Sequence, residues 1–159
     1  MTILRYIARK HAPEYYPEAQ RHIIDWCLDL KGMRIYQDAS WKNLGWNYLA
    51  YPILGFRPEQ PKEEMEARVK GFTENLDIYE KKFLADTKFI ALDTLNIADF
   101  AMAPLVKVMS HPLFQEKTGF ILSERWVQWL KDFEAAVPCS GMMTSAQGWS
   151  LWEVLDSKA

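Results

Sequence analysis

This sequence lacks the features of several large classes of protein. It has seven glycines, which are few for a protein of strands and tight turns, and two cysteines that stand far apart, Cys27 and Cys139. Such a spacing fits neither a disulfide scaffold nor a metal-binding motif. We therefore expect reduced cysteines and a cytoplasmic location, although an organellar lumen without disulfides is also compatible with them.

The sequence also lacks a long hydrophobic run and an excess of positive charge. Its first ten residues are apolar only briefly and contain Arg5, so they predict neither a signal peptide nor a membrane span. The formal net charge of -2 leaves no basic excess to neutralise phosphates, which excludes a nucleic-acid partner. His11, His22 and His111 have no metal-ligand spacing, so we expect no metal and interpret them as surface or loop residues.

What the sequence does contain is apolar and aromatic residues, at 49% and 14%, arranged with helical spacing. The clearest helix spans Lys62–Leu84, and its inward residues repeat every three or four positions: Met65, Val69, Phe72, Leu76, Tyr79 and Phe83. We predict an all-α helical bundle. Further helices are expected over 3–10, over Glu18–Pro52 as one helix or two, over 96–109, over Ser123–Ala136 and over Gln147–Leu155.

Two of these helices have an explicit prediction of their inward faces. In the helix that begins near Glu18, the inward residues are expected to be Ile23, Trp26, Cys27, Leu30 and Met33. In the helix capped by Ser123, they are expected to be Trp126, Val127, Leu130, Phe133 and Val137.

Asn96 and Asp99 form a helix-capping pattern. The Asn96 side chain is placed to accept a backbone hydrogen bond at the start of a helix, and Asp99 is placed to accept one from the Asn96 amide. This spacing explains both residues as a structural N-cap, so we assign them no chemistry. Losing half of such a cap is expected to cost about 1–2 kcal/mol of stability.

The capping pattern and its surroundings resemble the C-terminal helical domain of glutathione transferases. The resemblance rests on Leu95–Pro104 following a long amphipathic helix, and on Trp129-Leu130 standing before Pro138. It covers nearly the whole chain. Trp46, with Pro52 six residues later and Leu54-Gly55 behind it, is most similar to the theta class, whereas Asp38 stands where some theta enzymes have an arginine.

The resemblance implies two parts of unequal size. Residues 1–11 look like the last helix of the family's thioredoxin-like domain, and residues 12–159 look like the helical domain. In the family, an acidic residue and a serine that hold glutathione stand just before that helix. In this chain Met1 stands where the residue after that serine would be, so the pair is missing. The resemblance therefore implies no catalytic residue and no bound cofactor in this chain alone. Glutathione would be the co-substrate if an N-terminal half were present.

The resemblance also implies a pocket for hydrophobic electrophiles. Tyr36, Trp41, Trp46 and Tyr48 are its candidate lining residues, because aromatic faces bind varied apolar groups. The alternative for each is ordinary packing in the core, and Trp46 alone also matches the family by position. A small hydrophobic molecule is the expected ligand.

Trp149 and Trp152 lie near the C-terminus, where the family's final helix often covers the same pocket. They are therefore candidate substrate-binding residues as part of a lid. The alternative is that they merely close the core.

The first helix predicts a protein partner. Ile3, Leu4, Ile7 and Ala8 share one side of it, and without a β-sheet beneath them they are expected to face water. We expect another protein chain, a second copy or a different subunit, to cover Ile3, Leu4 and Ile7. The basic residues Arg5, Arg9, Lys10 and His11 are expected to be merely solvated.

Two functions follow from these observations. The first is the electrophile-binding half of a glutathione transferase, not catalytic alone but part of an enzyme when the missing half is supplied. The second is a non-catalytic interaction or structural subunit of a larger assembly, since fold does not determine function.

Overall fold

A computed structural model describes residues 1–38, 44–45, 49–143 and 151–157. These residues form helices and turns and contain no strand, which confirms the predicted all-α fold. The α-helices are α1 Thr2–His11, α2 Arg21–Leu30, α3 Tyr51–Ile53, α4 Lys62–Phe83, α5 Ile97–Met109, α6 Pro112–Thr118, α7 Glu124–Ala136 and α8 Leu151–Asp156. Short 3-10 turns cover Pro13–Tyr15, Glu18–Gln20 and Ser140–Met143, and π-helical turns over Lys31–Asp38 continue α2.

The longest helix, α4, follows the predicted pattern closely. Phe72, Leu76, Tyr79 and Phe83 are buried, and the first-turn glutamates and last-turn lysines complement the helix dipole. No helix in the described ranges is long and apolar enough to cross a membrane.

The central helix is α5, which packs against α2, α6 and α7. It contains Pro104, and nine of its thirteen residues are buried, including Met102, Val106 and Met109. A helix that is apolar on nearly all sides must be surrounded, and α5 accordingly occupies the middle of the bundle.

The inward face predicted for α2 is partly wrong. Ile24, Cys27 and Leu28 are buried, whereas Trp26 is 50% exposed and Met33 is 68% exposed. Apolar residues on this segment cover more than one side of the helix, so their spacing fits several rotations. Packing against α4 and α5 selects one of them.

Two other sequence predictions need correction. In α7, Val127 is 38% exposed, and Trp129 is buried instead. His111 lies between two helices, but it is not a surface histidine, because it is buried and its Nδ1 accepts a hydrogen bond from the Leu113 amide at 3.1 Å. It serves as the N-cap of α6.

Helix α1 docks on its own domain more than the sequence predicts. Ala8 is buried and Leu4 is half-buried against the core, so the expectation that they face water is wrong. Ile3 and Ile7 are 76% and 47% exposed, as expected for the outer side of this helix.

Arg5 is the main polar link between α1 and α2, and it is not merely solvated. Its Nε donates to Asp25 Oδ1 at 2.5 Å, and its Nη2 donates to Asp29 Oδ1 at 2.7 Å. The Tyr16 hydroxyl also donates to Asp25 Oδ1, at 2.6 Å. We call these four residues the α1 anchor.

Candidate functional site

The structure describes only some of the residues that are predicted to line a substrate pocket. Trp41, Trp46, Tyr48 and Trp149 lie outside the described residues. The backbone of Tyr36 lies in the π-helical turns that continue α2. Trp152 is the one predicted lining residue whose side chain the structure describes.

Trp152 fixes α8 to the corner between α5 and α6. Its ring meets the His111 ring edge to face, with centroids 4.6 Å apart, and the Lys107 ammonium lies 5.2 Å from its centroid. Leu155, one turn later on α8, is fully buried. These contacts dock the C-terminal helix on the body of the domain.

A cleft of about 580 Å³ lies between α3, the first half of α4 and the end of α6. Its apolar lining begins at Leu49, the residue after Tyr48, and consists of Leu49, Pro52, Ile53, Met65 and Val69. These residues come from separate parts of the chain. A volume of this size suits a small organic molecule.

The charged side chains that line the cleft have a net charge of zero. Lys62 forms an ion pair with Glu66 on the same helix, at 3.6 Å. The charged lining residues are three lysines and three glutamates: Lys62, Lys70, Lys117, Glu59, Glu66 and Glu116. A cleft with an apolar floor and no net charge favours a neutral, apolar ligand over an ionic one.

The described lining lacks several of the residue types that often serve as a nucleophile or a base. It includes no histidine, cysteine or aspartate. The one hydroxyl, Thr118 Oγ1, donates to the Phe114 carbonyl at 2.7 Å and accepts from the Phe120 amide at 3.1 Å, so it is engaged in the backbone. This arrangement can bind a molecule, and its ionisable groups are the glutamate carboxylates and lysine ammonium groups of the lining.

Cysteine chemistry is also disfavoured in the core. Cys27 is fully buried, and this burial raises the pKa of its thiol to about 12. A thiol with so high a pKa is protonated at neutral pH and is not the nucleophilic thiolate. No cluster of three or more His, Cys, Asp or Glu side chains in the described ranges could hold a metal ion.

The capping box predicted at the start of α5 is present and is fully buried. Asn96 Oδ1 accepts from the Ala98 amide at 3.0 Å, and Asp99 Oδ2 accepts from the Asn96 amide at 2.9 Å. Asp99 Oδ1 accepts two further bonds, from the Ile90 amide and from Trp129 Nε1, both at 2.8 Å. Asp99 therefore joins α5, α7 and the preceding loop.

Burial governs the ionisation of this carboxyl group. It raises the pKa of Asp99 to about 6, although the N–H donors from Ile90, Trp129 and Asn96 act in the opposite direction. All of its partners are structural groups of the domain. Asp99 thus has a fixed structural role and no free oxygen that faces the cleft.

Sequence reasoning missed both the cleft and the α1 anchor. The cleft has no local signal, because segments distant in sequence create it. The anchor did have one: Asp25 and Asp29 are one helical turn apart, a spacing at which two carboxylates can receive a single arginine.

Comparisons with known proteins bear on the domain as a whole. A family model, the C-terminal domain of glutathione S-transferase, matches residues 44–132, more than half of the chain. A comparison with curated proteins found no match. The matched region contains α4, the capping box of α5 and most of α7, which contribute buried residues to the core. The chain therefore belongs to the glutathione S-transferase C-terminal domain family.

Proposed function

We propose that this chain is the electrophile-binding half of a glutathione transferase and does not catalyse conjugation by itself. The observation that carries this proposal is the apolar, charge-balanced cleft, which suits a small apolar molecule and whose described lining contains neither cysteine nor histidine. Leu49 of the cleft directly follows Tyr48 in the sequence. We propose Trp41, Trp46 and Tyr48 as further lining residues, together with Tyr36, Trp149 and Trp152. Family membership supports the assignment.

In this proposal the reaction is attack by the glutathione thiolate on an apolar electrophile. The chain binds and orients the electrophile, while a thioredoxin-like domain outside these 159 residues binds glutathione and stabilises its thiolate. Holding the two reactants together supplies much of the rate enhancement of such a reaction. Trp46, Pro52 and Leu54-Gly55 support a theta-like enzyme, and the free cysteines support a reducing, cytoplasmic location.

Conjugation and binding can be measured separately. We expect the chain to conjugate glutathione to an aryl halide no faster than the uncatalysed reaction. We also expect saturable quenching of tryptophan fluorescence by the same aryl halide without glutathione. Turnover that persists in the purified protein and rises in proportion to its concentration would contradict the non-catalytic part of the proposal.

A variant of the cleft tests where the apolar molecule binds. Val69→Glu places a charge in the apolar lining and should weaken binding about tenfold or more. Ile121→Glu is the matched control, because Ile121 is 83% exposed and outside the cleft. Equal affinity in both variants would place binding elsewhere.

A second candidate function is a non-catalytic subunit of a protein assembly. The outer side of α1 favours it, since Ile3, Tyr6 and Ile7 are 76%, 60% and 47% exposed. In this proposal another protein chain covers Ile3, Leu4 and Ile7. Hydrogen exchange of 2–11 with and without a copurifying chain tests it, with Leu4→Glu and Ile7→Glu as disruptive variants. Loss of the partner in Ile7→Glu is the expected result, and unchanged association would exclude this side of α1.

A further inference from the structure

A second groove, separate from the cleft, lies between the short 3-10 turns that follow α1 and the loop that precedes α5. Its volume is about 520 Å³, and its lining comes from residues within 14–20 and 92–95. It shares no lining residue with the cleft and none with the exposed outer side of α1. We call it the turn–loop groove.

The floor of the turn–loop groove is apolar and held in place. It is formed by Tyr15, Pro17, Leu92 and Leu95, all of them half-buried. The Tyr15 ring packs edge to face on Phe100 of α5, with centroids 5.4 Å apart. Pro17 is extended, with φ -62° and ψ 138°, and its ring restricts φ to such values. A surface that is already ordered loses little conformational entropy when a ligand binds.

The rim of the turn–loop groove is acidic. Glu14 and Asp93 are exposed, and the described lining contains no lysine, arginine or histidine. Neither carboxylate forms an ion pair within the described part of the chain. The Lys88 amide donates to Asp93 Oδ1 at 3.1 Å, which orients this side chain and leaves Oδ2 to receive another donor. The groove therefore carries two negative charges, whereas the charges of the cleft cancel.

The loop also offers main-chain groups to a ligand. The backbone amides of residues 92–95 donate no hydrogen bond to the described part of the chain. An extended peptide uses its own carbonyl groups to accept from amides of this kind, while its side chains select the site. An apolar floor, acidic side chains and open amides together fit a peptide better than a small hydrocarbon-like molecule.

We propose that the turn–loop groove binds an extended basic segment of another protein. An arginine or lysine of that segment lies at Glu14 and Asp93, and a neighbouring aliphatic or proline side chain covers Tyr15. A neutral apolar molecule would bury polar groups without giving them a partner, which is costly. The same two carboxylates would repel an acidic peptide or a phosphate. The proposal is independent of the cleft and of the outer side of α1.

Two synthetic peptides test this proposal. One is a fluorescently labelled hexapeptide in which arginine, leucine and proline repeat twice, and the other has glutamate in place of each arginine. The basic peptide should bind the chain saturably in fluorescence anisotropy, and the acidic one should not. Glu14→Gln with Asp93→Asn should weaken binding of the basic peptide about tenfold or more. Both changes keep the side-chain shape, and the amide oxygen at position 93 still accepts from Lys88.

Charge reversal and a matched control sharpen the test. Glu14→Lys with Asp93→Lys should make the acidic peptide bind more tightly than the basic one. Glu74→Gln with Asp77→Asn removes the same two charges from exposed positions of α4 and should leave the dissociation constant unchanged. Argininamide, which has no apolar neighbour for the floor, should compete much less well than the unlabelled basic peptide.

Four results would overturn the proposal. They are a wild-type chain that binds neither peptide, equal affinity for both peptides, an equal loss in the α4 control, and competition by argininamide as strong as that by the basic peptide. The last result would mean that the groove binds a small cation without using its apolar floor.

Discussion

Two aspartates, Asp99 and Asp25, each join distant segments of the chain but do so in opposite environments. Asp99 is fully buried and accepts only from neutral groups, and its burial raises its pKa to about 6. The Asp25 side chain is 34% exposed and lies beside the Arg5 guanidinium. Burial alone would raise the pKa of Asp25, but hydrogen bonds from Tyr16 and Arg5 hold it below its usual value.

The comparison shows that a carboxylate can stabilise structure with very different consequences. Asp99 connects elements that form the core, so its loss is felt by the whole domain. Asp25 connects the peripheral helix α1 to α2, so its loss is expected to act locally. The pKa values of the two carboxyl groups differ because Asp99 is buried among neutral donors, whereas Asp25 is partly exposed beside a cation.

The largest effect is expected from Asp99→Ala. The substitution leaves the Ile90 amide, the Asn96 amide and Trp129 Nε1 without their acceptor, and each unsatisfied buried donor is costly. We expect a loss of about 3 kcal/mol or more in the free energy of unfolding, above the cost of a helix cap alone. Denaturant unfolding measures it.

Asp93→Ala is the control for this prediction. Asp93 is an exposed carboxylate in the loop that precedes α5, and it accepts one hydrogen bond, from the Lys88 amide at 3.1 Å. Its removal should change stability by less than about 1 kcal/mol. Similar losses in both variants would mean that the buried network is no stronger than an exposed turn.

The second prediction uses pH to separate the two aspartates. The pKa of Asp99 in the folded state is about 6 and lies above the usual 3.8. Between these two pH values the Asp99 carboxyl group is protonated in the folded protein and ionised in the unfolded chain. The stability that this protonation contributes is therefore present at low pH and lost as the pH rises through about 6. The two pKa values correspond to about 3 kcal/mol.

The measurement is the free energy of unfolding of the wild type minus that of Asp99→Asn, as a function of pH. This difference should decrease by up to about 3 kcal/mol as the pH rises from about 4 to about 7. Asp25→Asn should give the opposite slope. The pKa of Asp25 is lowered in the folded state, so the ionised carboxylate stabilises the fold at pH values above its usual pKa, and this stability is lost on acidification. Slopes of the same sign would refute the contrast.

The smallest effect is expected from Arg5→Gln, which breaks the α1 anchor. Partly exposed ion pairs contribute less than about 1 kcal/mol, so the unfolding midpoint should hardly move. The amides of α1 should nevertheless exchange faster, because the helix then keeps only its apolar contacts through Leu4 and Ala8 and the packing of Arg9 on the Tyr16 ring. Lys10→Gln is the matched control, since Lys10 is exposed and contacts Tyr6 within the same helix. Unchanged protection of 2–11 in Arg5→Gln would show that apolar contacts suffice.

The cleft was not predicted from the sequence. An apolar site was expected around Trp41, Trp46 and Tyr48, and that prediction stays untested because these residues lie outside the described part of the chain. The cleft combines Leu49, the first turns of α4 and the end of α6. No periodicity in the sequence specifies that these segments meet, because their contact depends on how the helices pack.

The sequence by itself determined the features that local interactions fix. The bounds and inward face of α4, the Asn96 and Asp99 cap of α5 and the Ser123 cap of α7 were all predicted, since each depends on residues within about one or two turns. The family also followed from this order of local features along the chain.

The tertiary structure alone decided the rest. It selected which side of α2 is buried, it placed His111 under Trp152, and it paired Arg5 with Asp25 and Asp29. Each of these depends on residues far apart in sequence, and helical spacing allows several outcomes of similar local energy. Packing of the helices around α5 removes that choice, because a close-packed core admits one set of neighbours.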